Sequence, residues 1–131
     1  MILLDTSFVI DLMRGNTDCM KLLQDTEARE EDVFLSTISV YELLVGVAHA
    51  DNKIDEEQKI RESLSAITTI DFDKYSSYES GTIYSELKSQ GSMINSFDIL
   101  IAGIARRHNY SVMTRNGSDF NRINGLQVIE Y

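Results

Sequence analysis

Three apolar residues, Ile2, Leu3 and Leu4, run without polar interruption into Asp5, Thr6 and Ser7. A strand that is apolar on both faces belongs inside a parallel sheet covered by helices on both sides. Its carboxyl end, where Asp5 stands, is the edge at which open α/β sheets bind ligands. The period then changes. Phe8, Val9, Leu12 and Met13 recur at helical spacing, with Thr6 or Ser7 as a cap and Arg14-Gly15 as a stop. A second helix is expected from about Asp18 to Thr26, before the charged turn at residues 29–32, and a strand at Val33 to Ser36. From Ser39 a further helix keeps Val40, Leu43, Leu44, Val47 and Ala48 on one stripe, which leaves Glu42 on a flank with Gly46 and His49. Residues 51–64 predict a charged helix with Ile54, Ile60 and Leu64 turned inward, and residues 67–72 a weaker strand. Asp73 caps a long helix to about Ser89, packed through Ile83, Tyr84 and Leu87 and stopped by Gly91. After a loop, a very apolar helix runs from Ser96 to Arg106-Arg107-His108, its cations at the negative end of the macrodipole. Residues 111–114 predict a strand, 115–124 a loop or broken turn, and 126–130 a last short strand.

Strands separated by helices imply right-handed βαβ units, hence a three-layer α/β/α sandwich around a central, largely parallel sheet. A less regular α/β sheet is the alternative. No linker or repeat interrupts the pattern, so residues 1–131 read as a single domain.

Charge narrows the function. Twelve Lys and Arg against 21 Asp and Glu give a net charge of −9, which argues against a protein that tracks nucleic-acid backbones by bulk attraction. A site that holds a divalent cation can still meet phosphate through the metal. A lone cysteine, Cys19, excludes an internal disulfide and fits a reducing compartment, and with only His49 and His108 beside it a structural zinc site is improbable. No apolar run approaches the ~20 residues of a membrane helix, so a cytoplasmic protein is expected.

Four acids stand where chain elements change: Asp5 after the first strand, Glu42 and Asp98 near helix starts, and Asp119 after the fourth strand. Each has a structural reading. Ser39-x-x-Glu42 matches a capping box, Asn95-x-x-Asp98 resembles one, and Asp119 could cap a turn beside Gly117. Asp5 favours function, because a carboxylate that ends a buried strand is costly unless it is paired or holds a metal. Clustered carboxylates raise one another's pKa unless a cation neutralises them. Mg²⁺ or Mn²⁺ suits all-oxygen ligands and leaves room for a substrate phosphate. Both histidines fall at helix ends and read as solvated.

Leu3-Leu4-Asp5-Thr6-Ser7, Ile38-Ser39-Val40-Tyr41-Glu42-Leu43, Phe97-Asp98-Ile99-Leu100-Ile101-Ala102 and Met113-Thr114-Arg115-Asn116-x-x-Asp119-Phe120 together resemble the four acidic motifs of PIN-domain ribonucleases. In order and spacing they are similar to the toxins of VapBC toxin–antitoxin modules. The resemblance covers nearly the whole chain. It implies a parallel sheet in the order 3-2-1-4-5, Mg²⁺-dependent endoribonuclease activity, and a homodimer for which exposed tyrosines such as Tyr75 and Tyr78 are candidates. It also implies a VapB-like antitoxin that reaches into the acidic site with a basic side chain. By position, Asp5 and Asp98 would be the principal metal ligands, Glu42 would complete the site directly or through water, and Asp119 matches the fourth acid. Ser7, Thr114 and Asn116 match groups that orient the acids or the phosphate. Arg14, Arg106, Arg107, Arg115 and Arg122 are the cations available to RNA, and Arg115, between Thr114 and Asn116, is the foremost.

Two other readings compete. A phosphoacceptor receiver domain is also acidic and Mg²⁺-dependent, but it predicts an acid pair after the first strand, where this chain has Asp5 alone, and a lysine after the last. The other is a PIN-fold binding module for RNA or protein without turnover, which loss of metal-dependent cleavage in Asp5→Asn would discriminate.

Overall fold

The sheet grows outward from β1 (Ile2–Leu4), flanked in register by β2 (Val33–Ser36) and β4 (Ser111–Thr114), with β3 (Thr68–Ile70) and β5 (Val128–Glu130) at the edges. All four pairings are parallel and the order is 3-2-1-4-5. The computed structural model describes residues 1–131. Helices α1 (Thr6–Met13), α2 (Thr17–Ala28), α3 (Thr37–Val47), α4 (Lys53–Leu64), α5 (Lys74–Gln90), α6 (Ser96–His108) and the short α7 (Gly117–Phe120) complete the three-layer α/β/α sandwich. None is long and apolar enough to cross a membrane.

The period of two along β1 divides the core. Leu3 faces a cluster with Ile83, Leu87, Ile99, Ile101, Ile104 and Val112, under α5 and α6. Ile2 and Leu4 face the other, with Phe8, Val9, Leu35, Leu43, Ile60 and Met113, under α1, α3 and α4. Each large apolar side chain fully buried there contributes about 1.5–3 kcal/mol. As the apolar sequence of α6 predicts, Ile99 and the run Ile101 to Ala105 are buried.

Caps settle the boundaries that pattern left open. Asn16 caps α2, which therefore opens at Thr17. Ser36 caps α3 by accepting from the Ser39 amide, so the helix begins two residues earlier than expected and the capping box from Ser39 to Glu42 does not exist. Asp73 and Asn95 cap α5 and α6 as predicted, and Gly91 ends α5 in the left-handed conformation. Residues 115–124, expected as loop, contain α7, and β5 is shorter than the predicted strand. Ile54 and Tyr84 are not packing residues: they are 83% and 48% exposed, whereas Ile60 with Leu64 seats α4 and the Ile83–Leu87 pair seats α5.

Candidate active site

Strand order reverses between β1 and β4, and the two carboxyl ends open a crevice there. Asp5 stands at its floor, 4% exposed, its backbone amide bonded to the Met113 carbonyl at 3.0 Å. It is the N-cap of α1 by position, yet its carboxylate caps nothing. Both of its hydrogen bonds end on one oxygen: Oδ2 accepts from Ser7 Oγ at 2.7 Å and from Thr114 Oγ1 at 2.8 Å. Oδ1 is left free to face the crevice. A buried carboxylate whose one oxygen is held by two hydroxyls keeps its other oxygen available to a cation.

The other acids reach the same place from separate elements. Asp98, in the first turn of α6, accepts from Asn116 Nδ2 at 3.3 Å, and Asp119 on α7 accepts from the same amide at 2.9 Å. Asp98 therefore is not engaged with its helix terminus, as a capping box would have it. Glu42, one turn into α3, accepts from Thr6 Oγ1 at 2.8 Å. Electrostatics report their convergence. The Asp98 carboxyl is pushed up to about 7, first by burial and then by the charges of Asp5, Glu42 and Asp119. Glu42 is raised by burial and by Asp5, against the Thr6 hydrogen bond, which lowers it.

This donor set is all oxygen and over-negative, which fits a hard divalent ion. In the observed rotamers no three of the acids close around one point. Thr6 holds Glu42 to one side, and Asn116 holds Asp98 and Asp119 together. An ion bound by three of these acids would require them to leave these hydrogen bonds and rotate inward.

Two residues that pattern did not single out complete the surroundings. Thr6, read as a cap, instead fixes Glu42. Asp11 on α1 is buried and receives Arg115 Nη1 at 2.9 and 2.8 Å and the Tyr131 hydroxyl at 3.0 Å. Burial, then the Asp11 bond, pushes the Tyr131 phenol far up. An acid inside the apolar run Phe8 to Met13 was the signal for a paired, buried charge. Arg115 consequently commits one nitrogen to Asp11 while its side chain stays 58% exposed. Of the remaining cations Arg14 has no carboxylate partner and lines a cavity with Glu42, and the other three are less free than sequence suggested. Arg106 is closed on Glu79 and Glu86, Arg107 pairs with Asp73, and Arg122 lies 3.6 Å from Asp119. His49 is exposed as expected, but His108 is half-buried against Tyr110, and burial lowers its pKa.

The PIN domain family matches residues 2–126, and the chain belongs to it. Ribonuclease VapC1 of Rickettsia felis is 33% identical over 131 residues, covering 98% of this chain and 94% of that protein. Among solved structures, VapBC2 from Rickettsia felis bound to a DNA fragment from their promoter aligns with TM-score 0.92 and 27% identity over 100% of this chain and 99% of that one. A toxin-antitoxin complex from Klebsiella pneumoniae aligns with TM-score 0.75 and 29% identity, over 98% and 96%. Within the PIN-domain family the chain is of the VapC type.

Two results are expected at this site. Glu42→Gln keeps an acceptor for Thr6, so thermal stability should change by less than about 0.5 kcal/mol, while nuclease activity should fall roughly tenfold or more if the carboxylate serves a metal. Equal activity in samples matched for melting temperature would return Glu42 to a structural role. Arg115→Ala should cost about 1–3 kcal/mol in urea unfolding, because Asp11 loses its cation while still largely buried. The same change made in an Asp11→Asn background should cost much less, and an undiminished cost would show that the pair is not what stabilises.

Proposed function

We propose that the protein is a Mg²⁺-dependent endoribonuclease, the toxin of a toxin–antitoxin module, with Asp5, Glu42 and Asp98 as metal ligands and Asp119 as a fourth, supporting acid. The observation that carries this reading is the convergence of four carboxylates at the switch point of a parallel sheet, where Asn116 joins Asp98 to Asp119 and, through Thr114, to Asp5, with Glu42 held by the adjacent Thr6. A divalent ion bound there lowers the pKa of water and stabilises charge on the scissile phosphate. The chain's own residues do the rest. Ser7 and Thr114 hold Asp5 Oδ2 so that Oδ1 faces the crevice, and Asn116 positions Asp98 and Asp119. Thr6 keeps Glu42 at the rim, and the β4–α7 segment, fixed through Arg115 and Asp11, places Thr114 and Asn116. RNA is the substrate by similarity to the ribonucleases of this type. A VapB-like antitoxin is the expected partner, by similarity to VapBC and to a toxin-antitoxin complex. Its basic segment would meet the same carboxylates that take Mg²⁺, so antitoxin and metal should weaken each other's binding by an equal factor.

The test is cleavage of total cellular RNA with Mg²⁺, with Mn²⁺ and with EDTA, alongside thermal melts in the same buffers. Cleavage and a higher melting temperature should both require the divalent ion. RNA bound tightly but left intact in every buffer would favour a binding module over an enzyme.

A further inference from the structure

The residues immediately before two of the site acids are aromatic and exposed. Tyr41, preceding Glu42 on α3, is 55% exposed, and Phe97, preceding Asp98 on α6, is 37% exposed. Though 56 positions apart in sequence, their rings meet at 5.7 Å between centroids, tilted by 54°. We propose that this pair is a stacking platform for an unpaired nucleobase of the RNA strand beside the scissile phosphate, an inference that rests on the ribonuclease reading above.

The charge inventory favours such a platform. Of the twelve Lys and Arg, Arg29, Lys59, Arg61, Arg106, Arg107, Arg115 and Arg122 already face carboxylates. Five remain for phosphate on a chain of net charge −9, and of these only Arg14 shares a cavity with a site acid, Glu42, so electrostatic attraction supplies little of the affinity. Stacking is the other general source of affinity for single-stranded nucleic acid, and it asks only for an exposed π-face at the right place. Each ring is borne one residue before a site acid on the same helix turn, so the pair lies beside the crevice, turned from Glu42 and Asp98 by one helical step. The chemistry also sets the substrate class. A base buried in a duplex offers no face, so loops and unpaired strands should be preferred. A second copy of the chain is the competing occupant of an exposed aromatic pair. A two-fold contact through these rings would bring one acidic site against the other, whereas a nucleobase enters with only the charge of its own flanking phosphates.

The experiment uses Asp98→Asn as the binding background, so that cleavage does not deplete the probe. Short oligoribonucleotides carrying 2-aminopurine are titrated as single strands and as duplexes, with Tyr41→Leu, Phe97→Leu and Tyr41→Trp added in turn. Leucine keeps an apolar side chain and removes the π-face. Each Leu variant should weaken single-strand binding roughly tenfold and abolish the 2-aminopurine quenching, while Tyr41→Trp should retain both. Tyr41 is the more exposed ring, so its variants keep the test open if Phe97→Leu fails to fold. Unchanged affinity and quenching in folded Tyr41→Leu would overturn the platform. So would a shift in sedimentation coefficient with unchanged RNA affinity, which would hand the rings to a second copy. Wild-type cleavage is measured in parallel: cleavage with dispensable rings defeats only the platform, whereas absence of Mg²⁺-dependent cleavage defeats the function on which it rests.

Discussion

Asp98→Asn should abolish RNA hydrolysis, by roughly a hundredfold or more, and at the same time stabilise the metal-free protein. The two effects have one cause. The carboxylate proposed to hold a divalent ion is partly buried among Asp5, Glu42 and Asp119 and pushed up to about 7. An acid whose folded pKa lies above its ordinary 3.8 holds a proton in the folded state that the unfolded chain has already released. The stability linked to that proton is complete below the ordinary pKa, declines as pH rises, and is lost on passing through about 7. Asparagine does not titrate. The variant's advantage over wild type in EDTA should therefore be absent near pH 4 and full at pH 8, on the order of 1 kcal/mol once solvent screening of a half-exposed group is allowed for. If Asp98 is a metal ligand as proposed, saturating Mg²⁺ should reverse the order at pH 8, because asparagine is the weaker ligand. Asp5→Asn should be equally inactive, and it removes the largest of the three charges acting on Asp98. Melting curves that run parallel from pH 4 to pH 8 would remove the electrostatic basis for the site, and near wild-type cleavage by either variant would remove the site itself.

Gly103→Val should be the most damaging single change away from the acids. α5 and α6 pack so closely that a Cβ at Gly103 would lie 1.9 Å from Ser80 Oγ and 3.0 Å from both Ser80 Cβ and the Ser76 carbonyl oxygen. The hydroxyl could rotate, at the expense of its hydrogen bond to the Ile99 carbonyl, but the backbone oxygen could not. The helices must separate, costing about 2–3 kcal/mol or more for the branched side chain. Because α6 carries Asp98 in its first turn, the same movement should loosen metal binding. Gly103→Ala should be milder, and adding Ser80→Gly should recover part of its loss, leaving the contact with Ser76. Urea unfolding of the four proteins measures this. A Gly103→Val protein as stable as wild type would mean that the helix pair is free to adjust.

What the sequence determined by itself was the set of elements and the chemistry of their ends. The apolar run at Ile2 to Leu4 reads as a central strand because only a strand covered on both faces can be apolar at consecutive positions, and β1 is central. Alternation of strands and helices then gave a parallel sandwich, and four acids at element boundaries gave the candidate site, since residue type and spacing are local properties. Helix starts were less legible. A hydroxyl at Ser36, Ser39, Thr6 or Ser7 caps equally well in isolation, and only the packed chain chose Ser36 for α3 and set Thr6 to hold Glu42. Exposure of Ile54 and Tyr84 was likewise a matter of which neighbours arrived. The tertiary structure alone decided the pairings across long sequence separations: Thr114 with Asp5, Asn116 with Asp98, Arg115 and Tyr131 with Asp11, Tyr41 with Phe97. The reason is physical. Spacing along a chain fixes which face of an element a side chain occupies, whereas the partner on the facing element, and the burial that shifts a carboxylate's pKa, exist only once the strands have taken their order.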